Sequence, residues 1–233
     1  MIHGRNGIRL ILVLLCAILL FNVVCYAREN PDASVNWGEA ILIHDLPQFT
    51  DAGKDYRGEL PGKFGSQFPR MLICDNGDWL VAYTIYDNNG YLADPLGGTR
   101  LQVSKSTDHG KSWSTLSAIQ DPGRDLDNAQ MIQLKSGEIL LACRSVKWYQ
   151  SYQLKVYKSS DNGKSWSYCS MIDEISGEAE SLRNPDRGVY EPYMLQMDDG
   201  RIGVMYASEK YALSSPAYSQ VLVLKLSDSD GEA

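Results

Sequence analysis

The sequence predicts an all-β protein assembled from repeated small antiparallel sheets, and three observations carry that prediction. A strand-turn-strand frame occurs three times, as M-L-I-C-D-N-G-D-W-L-V-A-Y from Met71, M-I-Q-L-K-S-G-E-I-L-L-A-C from Met131 and M-L-Q-M-D-D-G-R-I-G-V-M-Y from Met194. Each methionine is followed six residues later by a glycine, Gly77, Gly137 or Gly200, and the frames are 60 and 63 residues apart. An octapeptide, S-T-D-H-G-K-S-W from Ser106 and S-S-D-N-G-K-S-W from Ser159, is interleaved with them. A period somewhat above that of helical repeats, filled by short strands and hairpins, points to the blades of a propeller.

Within each frame, Asn76-Gly77, Ser136-Gly137 and Asp199-Gly200 predict two-residue hairpins, because glycine takes positive φ without a Cβ clash. The second strands, Trp79 to Tyr83, Ile139 to Cys143 and Ile202 to Tyr206, are apolar almost throughout, as strands buried on both faces are. The octapeptides follow apolar strands, Thr99 to Val103 and Gln153 to Tyr157. Their chemistry is that of turns: Asp108 and Asp161 accept hydrogen bonds from their own loops, Gly110 and Gly163 supply the reversal, and Trp113 and Trp166 pack beneath.

The first 27 residues stand apart. Arg5 and Arg9 precede an apolar run from Leu10 to Val24, and Ala27 ends the segment before a polar stretch, the pattern of a secretory signal peptide. The expected organisation is a signal peptide over 1–27, a lead-in segment over 28–65 with one strand-like run at Ala40 to His44, and blades over 66–233. A secreted or periplasmic location follows, with no membrane attachment after cleavage. Removing the signal takes two arginines and no acid, leaving 20 basic against 29 acidic residues, a net charge of −9. Nucleic acid is excluded as a partner by that balance. The cysteines left, Cys74, Cys143 and Cys169, form neither a metal-ligand spacing nor an even disulfide set, and the three histidines are scattered. No metal site or cofactor is expected.

The octapeptides match the Asp-box of the sialidase-like superfamily, S-x-D-x-G-x-S/T-W, at every defined position, through Ser106, Asp108, Gly110 and Trp113 and through Ser159, Asp161, Gly163 and Trp166. That resemblance implies a six-bladed β-propeller with its active site at one end of the axis and the boxes on the periphery. About three blades are expected here. Ser227 to Ala233 holds a glycine, Gly231, where a third box would have one, so the sequence is expected to stop inside the third blade. A half-propeller leaves sheet faces open to association.

Sialidases carry R-I-P in the first blade, where this chain has Gln67-Phe68-Pro69 followed by Arg70. Glutamine cannot make the paired charged hydrogen bonds that a carboxylate substrate demands. Arg70, Arg100 and Arg144 keep an exo-sialidase as one alternative, and a non-catalytic carbohydrate-binding or adhesion propeller is another. In order, L-L-A-C-R ending at Arg144, the second box, V-Y-E-P-Y around Glu191 and V-M-Y-A-S-E ending at Glu209 resemble the exo-1,5-α-L-arabinanases of glycoside hydrolase family 93. Tyr190 stands for that family's usual tryptophan, and Met205 to Ser208 departs from its Y-Y-S run. The resemblance implies a secreted exo-acting, retaining glycosidase of plant arabinan whose partner is an oligo- or polysaccharide. It implies a catalytic carboxyl for Glu191, as general acid/base rather than nucleophile, with the second carboxyl in a later blade and this chain alone inactive. Gln67, Arg70, Arg144, Tyr190, Tyr206 and Glu209 are the candidate substrate-binding residues, the tyrosines as stacking walls.

Overall fold

The structure, a computed structural model, describes residues 37–44, 65–86 and 98–228. The signal segment, most of the lead-in segment and residues 229–233, with Gly231, lie outside the described residues. Two units divide the chain, 1–40 and 41–233. In the first, residues 37–40 are described, and they are exposed without regular structure. The second carries all the strands described below. Among the described residues no helix is long and apolar enough to cross a membrane.

Three antiparallel meanders make up the second unit. β1 (Gly65–Ile73), β2 (Trp79–Tyr86), β3 (Arg100–Ser106) and β4 (Ser114–Ile119) pair in chain order as the first sheet. β5 (Asp125–Gln133), β6 (Ile139–Lys147), β7 (Ser151–Ser159) and β8 (Ser167–Ser176) form the second. β9 (Val189–Gln196), β10 (Ile202–Ser208) and β11 (Val221–Leu226) form a third of three strands. This is the expected all-β architecture of about three blades. The strand-like run before His44 is not a strand. Ile43 instead packs on Val81, Tyr83 and Ile85, and His44 Nδ1 lies 2.8 Å from Ser66 Oγ.

The three hairpins share a geometry that differs from the two-residue turn expected. Gly77 N–H donates to Cys74 O while Cys74 N–H donates to Asp78 O, and the same pair of bonds recurs at Leu134, Gly137 and Glu138 and at Met197, Gly200 and Arg201. Each loop therefore has three residues, with glycine third at φ 84°, 92° or 93°. A left-handed residue at that place turns a three-residue loop back into register.

Period-2 alternation builds two cores from one strand. In β6, Ile139, Leu141 and Cys143 face the first blade, while Leu140, Ala142 and Val146 face the third. Met131 and Met194, equivalent in the repeat, are buried at 4% and 2% exposure in these two interfaces. Met71, their counterpart in the first blade, is 55% exposed, because the face it shares with Ile73 meets no preceding blade among the described residues. Among the described residues the opposite uncovered face belongs to the third blade. There Tyr193, Met205 and Leu224 form a row across three strands, flanked by Leu222 and Leu226, all exposed. β10 is thus apolar on both faces as expected but buried on one.

Glutamine clamps set the blades side by side. Gln133 Oε1 accepts from Asp75 N–H of the first hairpin, and Gln196 Oε1 accepts from Lys135 N–H of the second, each at 2.8 Å. These bonds join the end of β5 to the loop after β1 and the end of β9 to the loop after β5, so the first strands β1, β5 and β9 run in the same sense and pack side by side. In a meander the start of the first strand and the connection between the second and third strands share one end. The Gly hairpins and the Asp-boxes, which join third to fourth strands, lie at the other.

Candidate functional site

Glu191 lies inside β9, as its third residue, rather than in a loop leading into it. Its φ is 53°, in the left-handed region that a side-chain-bearing residue rarely occupies. Two other residues of first strands share this property, Phe68 at 56° and Asn128 at 51°. All three sit in the same irregularity. Gln67 to Arg70 takes three steps opposite two from Thr84 to Ala82, Asp127 to Gln130 three opposite two from Arg144 to Ala142, and Tyr190 to Tyr193 three opposite two from Ala207 to Met205. One extra residue in one strand is a β-bulge, which bends the strand and re-aims a side chain. Each bulge falls in the half of its strand away from the hairpin. The repeat thus builds one strained bulge per blade at the same end of the assembly, and fills it with phenylalanine, asparagine and a carboxylate in turn.

Glu191 is exposed between the half-buried Tyr190 and the buried Pro192, and it makes no hydrogen bond or ion pair among the described residues. Its support lies beneath it. Tyr190 hydroxyl donates to Glu209 Oε2 at 2.7 Å, Gly188 N–H donates to the same oxygen at 3.2 Å, and Glu209 N–H donates back to Gly188 O at 2.9 Å. Burial, followed by that hydrogen bond to a carboxylate, pushes the Tyr190 phenol well above its ordinary pKa. Tyr190 is therefore neutral and fixed as a donor.

On the other side of Tyr190 stands Arg144, whose guanidinium carbon is 4.9 Å from the Tyr190 ring centre and 5.3 Å from that of Trp148. Arg144 Nε and a terminal N–H donate to the two carboxylate oxygens of Asp127 at 2.7 and 2.6 Å, a two-pronged pair buried at both partners. Burial works against the charge on Arg144, and the Asp127 carboxylate more than offsets it, so the guanidinium pKa is raised. Trp148 is oriented in turn by Asp125 Oδ2, 2.9 Å from its indole N–H. Tyr152, whose phenol burial pushes up to about 12, packs between Trp148 and Tyr190 with ring centres 6.3 and 6.1 Å away.

The structure therefore brings together Arg144, Tyr190 and Glu209 of the expected set, around the strand that carries Glu191. It places the others elsewhere. Tyr206 faces the second blade at 3% exposure, with its hydroxyl donating to Asp173 at 2.8 Å, and forms no surface wall. Lys210 Nζ donates to the same carboxylate at 2.6 Å. Burial acts to raise the Asp173 pKa, and the bonds from Lys210 and Tyr206 outweigh it, leaving it below the ordinary range. Gln67 belongs to the first bulge and lines a cavity of about 190 Å³ with Ile43, His44, Pro69 and Tyr83. Arg70 is exposed and donates to Pro69 O. Asp127, Trp148 and Tyr152 were absent from the sequence-derived set. Asp127 stands in the column of Gln67 and Tyr190, and aligning D-N-A with Q-F-P and Y-E-P by the 60- and 63-residue spacing singles it out.

The boxes are loops at the far end, each closed around its aspartate. Asp108 Oδ1 accepts from Ser106 Oγ and Ser112 N–H at 2.7 and 2.9 Å, and Oδ2 accepts from Ser112 Oγ at 2.6 Å. Asp161 repeats this with Ser159 and Ser165 at 2.8, 2.9 and 2.6 Å. The Ser112 bonds hold Asp108 far below the usual carboxylate range, and the Ser165 bonds hold Asp161 at about 2. Trp113 indole N–H closes its own box onto Gly110 O, whereas Trp166 N–H reaches Ser117 of the first blade. Among the described residues no group of histidine, cysteine or carboxylate side chains could hold a metal ion.

No protein-family model matches the chain, and no curated protein matches it. Solved structures do. An α-L-arabinanase from Penicillium chrysogenum, complexed with arabinobiose, is 24% identical over 72% of this chain and 47% of its own, at a TM-score of 0.60. A family 93 α-L-arabinofuranosidase of Fusarium graminearum with arabinobiose is 21% identical over 70% of this chain and 45% of its own, at 0.54. A thermostable family-43 glycoside hydrolase is 14% identical over 71% and 52%, at 0.51. At these identities the likeness is one of fold, and the chain spans about half the length of the solved structures it matches. The three sheets thus match part of the propeller fold of those structures.

Proposed function

We propose that the protein is an exo-acting glycoside hydrolase of arabinan-type polysaccharide and that Glu191 is one carboxyl of its catalytic pair. The observation that carries this reading is the placement of Glu191: an exposed carboxylate in a strained bulge on a first strand, at the end of the sheets opposite the boxes. Strain of this kind persists where the surroundings over-determine it, and the pairs Tyr190–Glu209 and Arg144–Asp127 supply that surrounding. Hydrolysis of a glycoside needs two carboxyls, about 5 Å apart in retaining enzymes. Asp127 is not the second, because both its oxygens are committed to Arg144. The arabinobiose held by two solved relatives supports an arabinofuranose substrate. Export through cleavage after residue 27 is part of the same proposal, supported by the sequence pattern alone.

An acid-sugar substrate is less well supported. Arg144, the best placed arginine for a carboxylate, already has its charge matched by Asp127. The test is product analysis: the full-length gene product, incubated with linear arabinan, is expected to release a short arabino-oligosaccharide or arabinose from chain ends. Release of sialic acid from a sialoside, or binding of arabinan without any product, would replace this reading with one of the two alternatives. N-terminal sequencing of the exported protein checks the cleavage site.

A further inference from the structure

A groove of about 420 Å³ runs between the end of β4 and the outer strands β7 and β8, away from β9 and Glu191. Its wall is an aromatic pair: Tyr168, 56% exposed, meets Tyr157 edge-on with ring centres 6.2 Å apart and planes at 83°. Its polar side is Asp121 with Lys155, together with the amides of Gln120 and Gln153. Asp121 Oδ2 is saturated, by Lys155 Nζ at 2.5 Å and Ser145 Oγ at 2.6 Å, with Arg124 3.7 Å away. Asp121 Oδ1 has no partner among the described residues, although the side chain is only 19% exposed. Gln120 is exposed and makes no side-chain hydrogen bond among them, and Gln153 spends one amide hydrogen on Glu174.

We propose that this groove is a second carbohydrate-binding site, taking one or two residues of a neutral oligosaccharide. A sugar ring has an apolar C–H face and a rim of hydroxyls. An exposed, braced tyrosine ring offers the first a flat apolar partner without side-chain ordering cost beyond two torsions. A carboxylate oxygen lacking a protein donor on a half-buried side chain, beside an ammonium group, pairs with a hydroxyl that donates to one and a neighbour that accepts from the other. Lys155 and Arg124 stand against Asp121, and Glu174 holds the amide of Gln153, so the charges at the groove balance and it does not favour an ionic sugar. Its volume falls within the range of small-molecule sites. Both walls come from the first and second blades, so the site is complete within the described residues and does not depend on the chemistry of Glu191.

The test is affinity electrophoresis of the protein carrying Glu191→Gln, so that hydrolysis does not consume the matrix, in native gels cast with linear arabinan, xylan or mixed-linkage β-glucan. At least one polysaccharide is expected to retard it, and Tyr168→Ala is expected to weaken that retardation by about fivefold or more in apparent Kd. Gln120→Ala, at an exposed side chain, is expected to weaken it less and serves as the readout if Tyr168→Ala does not fold. In the background with Glu191 intact, Tyr168→Ala should leave the release of product from a short soluble oligosaccharide unchanged. The proposal is overturned if none of the three matrices retards the protein, or if the folded groove variants migrate as their parent does. Hydrolysis that persists in Glu191→Gln, with retardation still weakened by Tyr168→Ala, would count against the reading of Glu191 and not against the groove.

Discussion

The guanidinium of Arg144 lies 4.9 Å from the centre of the Tyr190 ring, so the residue immediately before Glu191 rests on a cation that belongs to the neighbouring blade. That cation is held by Asp127, and the pair is buried. Removing one partner of such a pair leaves an uncompensated buried charge, at a cost of about 3–5 kcal/mol, whereas replacing both by apolar groups costs far less. Arg144→Met and Asp127→Leu are each expected to lower the urea midpoint strongly, and the double variant to recover much of the loss. Equal or additive losses in the double variant would show that the pair acts through separate contacts.

The Asp-boxes make a prediction in pH. The Asp161 pKa is lowered from 3.8 to about 2, chiefly by Ser165. A carboxylate depressed by folding contributes stability that is present above its unfolded pKa and is lost as pH falls through the folded one. Thermal unfolding should therefore show a melting temperature that declines from about pH 4 toward pH 2. Asp161→Asn should melt lower at pH 6 and show a shallower acid decline. An unchanged acid slope would remove the box carboxylate from the balance.

Two glycines with similar φ should differ in what they tolerate. Gly137 has φ 92° and open space where a Cβ would stand, so Gly137→Ala carries conformational strain of about 1–2 kcal/mol. Gly110 has φ 83°, and a Cβ there would lie 2.9 Å from the Trp79 ring. Gly110→Ala must add a steric displacement to the same strain, and denaturant titration should find it the less stable of the two. The reverse order would mean that Trp79 moves freely.

The free face of the third blade predicts association. Leu222 and Leu224 are 89% and 57% exposed on one side of β11, beside Met205 and Tyr193. Contiguous exposed apolar surface of this kind marks an interaction face or an aggregation liability. Purified chain is expected to self-associate in sedimentation velocity, and the double variant Leu222→Lys/Leu224→Lys to shift it toward monomer. Unaltered sedimentation would place the contact on the Met71–Ile73 face of the first blade instead.

Much of this architecture is legible in the sequence because its punctuation is rigid. A glycine six residues after each methionine and a tryptophan seven after each box serine are chemically hard to replace, so hairpins, boxes and blade spacing stand out. The loop length did not follow, since Cys74, Leu134 and Met197 look like strand residues and only their backbone bonds show that they close the turn. The bulge was half visible: proline marks it in Gln67-Phe68-Pro69 and Tyr190-Glu191-Pro192, and only an asparagine, which tolerates positive φ, stands at it in Asp127-Asn128-Ala129. The pairing of Asp127 with Arg144 depends on strand register, which that very bulge shifts by one residue. Tyr206 was misplaced for a simpler reason, because strand parity decides which face it takes, and it faces the core with Ile202 and Val204.

The role of Glu191 is tested most directly by replacing it and restoring the reaction with a small anion. With the full-length gene product on an activated arabinofuranoside, Glu191→Ala is expected to lower kcat by about a thousandfold or more while the protein stays folded. Added azide should recover part of the rate and yield a glycosyl azide whose anomeric configuration tells whether Glu191 is the acid/base or the nucleophile. A variant that hydrolyses the substrate at the parent rate would contradict the account.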